Sequence, residues 1–207
     1  MVILKGIPSI LSPELLYALA KMGHGDELVL ADTNFPTSST CTCGPIEIRA
    51  DGHRKRQEKY SRCDRLTLAP PTHKLLQHKY WRLRQEGSGD TVAPSDETPG
   101  QGQTGLGAAE LLEAILKLLP LDTYVLSPAA VMELVDSDKK RGLATPVWDI
   151  FRQKLAHAGV QAPLEKVERF AFYERAKKAF AVVATGETAL YGCLILKKGV
   201  IPGELLD

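Results

Sequence analysis

The sequence has almost no net charge, because 25 Asp and Glu residues nearly balance 26 Lys and Arg residues. Proteins dedicated to nucleic acids or membrane surfaces are usually clearly basic, so this balance argues against both kinds of partner. No apolar run approaches the roughly 18–20 residues that a helix needs to cross a bilayer. Lys5, Glu14 and Lys21 interrupt the first apolar segment, which is not the pattern of a secretory signal. We therefore expect a cytoplasmic protein that binds neither nucleic acid nor membrane.

Cysteine is also scarce, with four residues at positions 41, 43, 63 and 193. Without an export signal, these cysteines are expected to be reduced thiols. Cys41 and Cys43 are one residue apart, whereas a structural zinc site needs four ligands, commonly in Cys-x-x-Cys spacing. The sequence contains no Gly-rich phosphate loop, no His-Glu-x-x-His motif and no Gly-x-Ser-x-Gly motif. We expect no bound metal.

The charged residues are unevenly distributed along the chain. The stretch 53–86 holds ten basic and three acidic residues, whereas 87–104 has no Lys or Arg and consists mainly of Gly, Ser, Thr, Pro, Asp and Gln. The second stretch has the composition of a flexible linker. Such a long loop inside a small domain is improbable as ordinary structure. We expect 53–104 to be a disordered insertion in a compact domain formed by 1–52 and 105–207.

Outside the expected insertion, amphipathic helices alternate with short apolar strands. The clearest helix begins at Ser12-Pro13, where a capping residue precedes the residue best suited to the first helical position, and it ends at Gly23. Similar patterns predict helices at 108–119, 146–157 and 169–178, and strands at 27–32, 45–49, 123–126, 130–134, 181–185 and 191–198. This alternation predicts an α/β fold, a single layered domain.

The motif Gly23-His24-Gly25-Asp26 places a histidine between two glycines where the first helix ends. Histidine titrates near neutral pH, so at the mouth of a loop it suits the transfer of protons. The alternative is a turn histidine that hydrogen-bonds to Asp26. The motif is too short to decide between these interpretations.

Two aspartates and two tyrosines are further candidates for a site. Asp32 follows a predicted strand and Asp122 follows Pro120-Leu121; ligand-binding side chains gather at strand ends in α/β sheets. Either aspartate could instead cap a turn. Tyr173 and Tyr191 could reach a cleft and bind a polyol, or could be buried with their hydroxyls satisfied, and composition favours the core for Tyr173.

Three segments together resemble the ribose pyranase/fucose mutarotase family. They contain ALAKMGHGDELVLADTNFP, LLEAILKLLPLDTYV and ERFAFYERAKKAFAVVATGETALYG, and the similarity extends over 1–52 and about 105–200. It implies the α/β domain of that family and an enzyme that interconverts anomers or ring forms of free monosaccharides without a cofactor. It also implies homo-oligomers, from dimers to decamers, with sugar sites at clefts between subunits.

The resemblance implies roles for seven residues around one sugar. By their motifs, these are His24 as proton donor, Asp122 and Tyr173 in catalysis and binding, and Asp32, Met132, Tyr191 and Cys193 in binding. The implied substrate is L-fucose. Its 6-deoxy methyl group would suit the apolar wall formed by the methionine and the tyrosine rings.

The chain departs from the family pattern at two places. Cys193 stands where the family has asparagine, and a thiol donates and accepts hydrogen bonds only weakly. Losing one such bond in a buried site costs about 1–3 kcal/mol. The other departure is the insertion, whose abrupt ends at Gly52 and Gly105 suggest alternative splicing or a gene-model artefact.

These departures leave three alternatives open. The chain could be a non-catalytic variant that only binds fucose. It could exchange the pyranose and furanose forms of ribose, a reaction that shares the ring-opening step. It could also act through the basic stretch 53–84 on RNA or acidic partners, although basic runs are usually only solvated chain.

Overall fold

The computed structural model describes residues 4–42, 44–50 and 106–203. These residues belong to one unit that comprises Met1–Gln57 and Gln103–Asp207. The expected insertion at 53–104 lies outside the described residues, as do Cys43 and Cys63. The cysteines that are described, Cys41 and Cys193, are free thiols.

A six-stranded mixed sheet organises the described residues. Its strands are β1 (Glu27–Ala31), β2 (Ile46–Arg49), β3 (Ala129–Met132), β4 (Glu165–Val167), β5 (Ala181–Ala184) and β6 (Leu194–Lys197), in the spatial order β2-β5-β1-β6-β3-β4. β6 is antiparallel to β1 and β3, whereas the other pairs are parallel. The strands β1 to β5 all end at the same edge of the sheet, which we call the upper edge. β6 ends at the opposite edge, the lower edge.

Helices cover both faces of the sheet. They are α1 (Pro13–Lys21), α2 (Thr37–Thr40), α3 (Ala108–Leu116), α4 (Asp136–Lys140), α5 (Pro146–His157) and α6 (Arg169–Ala176). Because side chains alternate along a strand, β1 sends Leu28 and Leu30 to one face and Val29 and Ala31 to the other. The first face packs against α1, α3 and α5. The second packs against Phe35 and α6, so the single-domain α/β fold is confirmed.

Local sequence signals account for the helix that leads to the candidate histidine. Ser12 caps α1, because its hydroxyl oxygen accepts a hydrogen bond from the backbone N–H of Leu15 at 3.2 Å. At the other end, Nζ of Lys198 donates to the carbonyl oxygens of Leu19 and Met22 at 3.0 and 2.6 Å. The end of α1 is therefore fixed to the end of β6.

Two predictions about strands are wrong for local reasons. The predicted strand at 123–126 is a turn and bend, closed by a hydrogen bond of 3.0 Å from the backbone N–H of Tyr124 to Oδ1 of Asp122. β6 begins at Leu194 rather than at Tyr191, because Tyr191 has a φ of 60°, which a strand does not accommodate.

The sequence patterns also missed three short elements, α2, α4 and β4. None of them has a continuous apolar stripe: α4 has no buried residue, β4 has none fully buried, and α2 buries only two threonines. Without such a stripe, periodicity gives no signal.

An ionic cluster fixes α6 against the sheet. The guanidinium of Arg175 donates to both carboxylate oxygens of Glu27, at 2.8–3.1 Å, and to Oε2 of Glu165 at 2.7 Å. Arg175 and Glu27 are both largely buried, so their geometry is well defined. This cluster determines where α6 places Tyr173.

Within the described ranges, no helix is both long and apolar enough to span a bilayer.

Candidate functional site

The end of β6 brings His24 and Asp122 together at the lower edge. On one side of the strand end, the carbonyl of Lys198 accepts from the backbone N–H of Gly25 at 2.8 Å. On the other side, the carbonyl of Lys197 accepts from the backbone N–H of Asp122 at 3.1 Å. Two loops that are remote in sequence are thereby held beside one strand end.

The histidine and the aspartate form a close pair. Nε2 of His24 lies 3.4 Å from Oδ1 of Asp122, with the two side chains 47% and 5% exposed. The backbone N–H of Tyr124 and the imidazole both lower the pKa of Asp122, so this carboxylate stays ionised near neutral pH. Because this carboxylate faces Nε2, a neutral imidazole would carry its proton on Nε2 and leave Nδ1 to accept a proton. The pair suits general acid–base chemistry.

The turn that carries His24 is closed without the imidazole. Oδ2 of Asp26 accepts a hydrogen bond from the backbone N–H of Gly23 at 2.6 Å. Gly25 has a φ of 83°, in the region that favours glycine. The carboxylate of Asp26 thus binds the backbone of the turn, and the imidazole pairs with Asp122 instead.

An aromatic residue that sequence reasoning did not single out adjoins this pair. The ring of Tyr124 meets that of His24 edge-on, with centroids 5.8 Å apart. Tyr124 is 77% exposed and Leu126 is almost fully exposed. The lower edge therefore presents apolar surface beside the imidazole.

The other five candidate residues lie around the second core, towards the upper edge. They are Asp32, Met132, Tyr173, Tyr191 and Cys193. Asp32 directly follows β1 and is largely buried. Its Oδ1 accepts a hydrogen bond from the backbone N–H of Asn34 at 2.9 Å, which is the turn-capping arrangement.

Cys193 lies behind Asp32. Its Sγ accepts from the backbone N–H of Asp32 at 3.4 Å, and the residue is 2% exposed. Burial, followed by the charge of Asp32, raises the pKa of the thiol well above its usual value. Cys193 is therefore a protonated thiol that supports Asp32.

Tyr173 contacts both a ring and a cation. Its ring is 5.6 Å from that of Phe35 and tilted by 50°. The guanidinium of Arg169 lies 5.8 Å from the centroid of the Tyr173 ring. Sequence reasoning missed Arg169, although its position one helical turn before Tyr173 is a usable signal.

Tyr191 leads into β6 and is held by hydrogen bonds. Its hydroxyl donates to Oδ2 of Asp138 at 2.6 Å and accepts from the backbone N–H of Val135 at 3.3 Å. The structure therefore neither buries Tyr191 completely nor leaves its hydroxyl free.

A pocket of about 510 Å³ adjoins Asp32 at the upper edge. Its lining includes Asp32, Phe35, Glu47, Arg49 and Thr185. The volume falls in the range of small-molecule sites. Carboxylates, a guanidinium and hydroxyls beside one aromatic ring suit a polyol.

The two groups of candidates lie at opposite edges of the sheet. His24 precedes β1 and Asp32 follows it. At about 3.3 Å per residue, the five-residue strand with its flanks separates them by roughly 20 Å. The structure thus pairs His24 with Asp122 and gathers the other five elsewhere, but one chain does not join the two groups.

In the described part of the chain, no three His, Cys, Asp or Glu side chains are grouped so that they could hold a metal ion.

Comparisons with known proteins all point to one family, and the matches to relatives extend over nearly the whole chain. Residues 5–57 and 94–201 match the model of the RbsD / FucU transport protein family. A fucose mutarotase from Homo sapiens is 55% identical over 201 residues, which cover 97% of this chain and 96% of that protein. An L-fucose mutarotase from Glaesserella parasuis is 38% identical over 200 residues, which cover 96% and 97%.

Solved structures share the fold. The fucose mutarotase of Streptococcus pneumoniae in complex with L-fucose has a TM-score of 0.62 and 33% identity, covering 96% of this chain and 100% of that chain. FucU from Bifidobacterium longum has a TM-score of 0.65 and 36% identity, with the same coverage. RbsD of Bacillus subtilis complexed with D-ribose is 17% identical with a TM-score of 0.53, which shows a common fold alone.

Proposed function

The chain belongs to the RbsD / FucU family, and from this we infer that it is an isomerase, a mutarotase that interconverts the α and β anomers of L-fucose. One observation carries this function: 38–55% identity over nearly the full length to proteins named as fucose mutarotases, from a bacterium and a vertebrate. The similarity to a mutarotase solved with L-fucose supports the same substrate.

The reaction needs only proton transfers. One proton goes to the ring oxygen and one leaves the anomeric hydroxyl as the C1–O5 bond breaks and the carbonyl forms. Rotation about C1–C2 presents the other carbonyl face, and the reverse transfers close the ring. Atoms and electrons balance without an oxidant, so the chemistry requires no cofactor. A placed acid or base contributes about 10²–10⁴-fold.

We assign the proton transfers to the lower edge. The side chain of His24 is half-exposed, and its Nε2 lies next to the ionised carboxylate of Asp122. The imidazole can then deliver a proton to the sugar and recover one from it. Tyr173 is the candidate that completes the proton path.

We assign orientation of the sugar to the upper edge. Asp32 accepts hydrogen bonds from sugar hydroxyls, and Arg169 donates them. Met132 and the rings of Tyr173 and Tyr191 form an apolar wall for the C–H face and the methyl group. Asp32 also lines the pocket of about 510 Å³, which has room for one monosaccharide but is not lined by Arg169, the methionine or the two tyrosines.

We propose that a complete site forms where the lower edge of one subunit meets the upper edge of another. The roughly 20 Å between the edges exceeds the reach of one monosaccharide. Exposed apolar side chains flank both groups: Tyr124 and Leu126 at the lower edge, Phe170 and Leu190 at the upper edge. A ring or a two-fold dimer can pair these edges, so we expect a homo-oligomer.

Saturation-transfer NMR on the anomeric protons of L-fucose tests the activity. We expect exchange well above the uncatalysed rate. L-fucose binding without faster exchange would instead identify a non-catalytic variant that only binds the sugar. The same assay on D-ribose, with its furanose signals, reports pyranose–furanose exchange.

We also propose that the protein works in the cytoplasm. The described cysteines, Cys41 and Cys193, are unpaired, which suits a reducing compartment. Fractionation of cells should recover the protein with cytosolic markers, and recovery in secretory fractions would contradict this location.

Residues 53–104 are proposed to be an insertion that the activity does not require. The family model matches 5–57 and 94–201, so it leaves the central part of this segment, 58–93, unmatched. A variant that joins Gly52 directly to Gly105 is expected to fold and to exchange L-fucose anomers at least as fast per subunit. The measurement is the exchange rate together with the mass of the assembly. Loss of exchange in a folded variant would show that the segment is needed.

Gly199→Ala is expected to slow exchange without touching the reacting groups. An added Cβ would lie 2.4 Å from the carbonyl oxygen of Leu121 and 2.8 Å from Cα of Asp122. Because both are backbone atoms, the Asp122 loop must shift, and misplacement of a catalytic group by about 1 Å costs up to about 10²-fold. Gly203→Ala, where a Cβ meets nothing, is the control. Equal exchange rates for the two variants would contradict the expectation.

A further inference from the structure

Tyr191 has an unfavourable backbone conformation. Within the described ranges it is the only residue other than glycine with a positive φ, at 60°. A side chain with a Cβ is disfavoured there, and such a conformation persists only where the surroundings hold it. The contacts of Tyr191 should therefore show what holds it.

Hydrogen bonds hold both ends of Tyr191. At the backbone, its carbonyl oxygen accepts from Nε1 of Trp148 at 3.0 Å, and Trp148 is buried in the first core. At the side chain, the hydroxyl donates to Oδ2 of Asp138 at 2.6 Å and accepts from the backbone N–H of Val135 at 3.3 Å. The ring is thus fixed in position at the upper edge.

These bonds commit the only proton of the phenol. A tyrosine hydroxyl has one hydrogen to donate, and Asp138 receives it. The bond from Tyr191, followed by the nearby Arg141, lowers the pKa of Asp138, so Asp138 stays an acceptor. Burial and the bond to Asp138 raise the pKa of Tyr191. The hydroxyl therefore has no proton available for a sugar.

Asp138 also fixes the segment on which it lies. Its helix, α4, buries none of its residues, so apolar packing does not hold α4 in place. The side chain of Asp138 is nevertheless mostly buried, against Tyr191. The bond between Asp138 and Tyr191 thus ties the ring to α4 at the upper edge.

We propose that Asp138 is a positioning residue of the mutarotation site, whose carboxylate accepts the one hydrogen bond that the Tyr191 hydroxyl can donate, so that the tyrosine meets the sugar with its ring. This inference rests on the proposed function. It explains how Tyr191 is held for its role in orientation of the sugar, while His24 and Tyr173 remain the candidates for proton transfer.

A double-mutant cycle with Asp138→Asn and Tyr191→Phe tests the inference. Tyr191→Phe removes the donor of this bond, and Asp138→Asn replaces its charged acceptor with a weaker neutral one. Each is therefore expected to raise KM for L-fucose by about three- to tenfold, with kcat changed less than twofold. The double variant should be no worse than the worse single variant. Asp136→Asn is the matched control, since Asp136 lies on the same helix with its side chain 91% exposed. It should leave both constants unchanged.

Two outcomes would overturn the inference. One is a loss of tenfold or more in kcat for Tyr191→Phe but not for Asp138→Asn, which would show that the hydroxyl transfers a proton. The other is a KM increase in the double variant that equals the product of the two single increases, which would show that the residues act independently. If the wild-type chain catalysed no exchange, the proposed function would fail by itself. Dissociation constants for L-fucose across the same cycle would then test the positioning role.

Discussion

Replacing His24 with alanine is expected to slow catalysed exchange of the L-fucose anomers by at least about tenfold, and by up to about 10⁴-fold if the imidazole supplies the full effect of one placed acid–base group. The physical reason is the pairing of His24 with ionised Asp122 at an exposed edge of the sheet. In the described residues no other imidazole lies beside that carboxylate. Saturation-transfer NMR measures the rate directly.

The change is expected to leave the fold intact. The side chain of His24 is half-exposed, and its turn is closed by Gly23, Gly25 and Asp26 without the imidazole. Thermal unfolding of the variant should match the wild type. His157→Ala, a change at the exposed C-terminal end of α5, is the matched control and should retain full exchange. Normal exchange in His24→Ala would remove this residue from the mechanism.

Mixing two inactive variants is expected to restore activity. His24→Ala damages only the lower edge and Asp32→Asn only the upper edge, so each pure assembly lacks one part of every site. In an equimolar mixture with free subunit exchange, about a quarter of the contacts between subunits join an intact lower edge to an intact upper edge. The mixture should therefore regain about a quarter of the wild-type exchange rate, from near zero.

A second mixture distinguishes sites between subunits from sites within one subunit. The double variant His24→Ala/Asp32→Asn, mixed equally with wild type, retains about a quarter of the sites if they form between subunits and about half if each subunit carries its own. Mass measurement verifies that the subunits have mixed. No recovery in the first mixture, with one half retained in the second, would show that each chain holds a complete site.

Local sequence rules predicted the helices well where a proline at the first helical position precedes an apolar periodic stretch. The helix that begins after Ser12 and the helix at 146–157 are confirmed, as is the apolar strand that leads to Asp32. The predictions failed where a local hydrogen bond competes with the strand pattern. Asp122 closes a turn at 123–126, and hydrogen bonding through an aspartate side chain cannot be predicted from hydrophobic alternation.

The candidate residues were found from motifs, but their grouping was not. Sequence separation gives no reason for His24 to pair with Asp122 rather than with Asp26, two residues away. The structure makes that choice because the backbone of Lys197 and Lys198 bonds to both loops. Tyr124 and Asp138 were missed for the same reason, since each is significant only through a neighbour that folding supplies.

The sequence by itself determined the α/β character, the strand before Asp32, the histidine between two glycines and the residue types that suit a sugar. These properties depend on neighbouring residues and on periodicity, which a linear chain displays directly. Only the tertiary structure decided that β6 runs against its neighbours, that His24 meets Asp122 at one edge, and that Asp32 lies at the other. Those outcomes depend on strand order and on the length of β1. Packing of the whole sheet fixes the strand order, and no local sequence pattern predicts it.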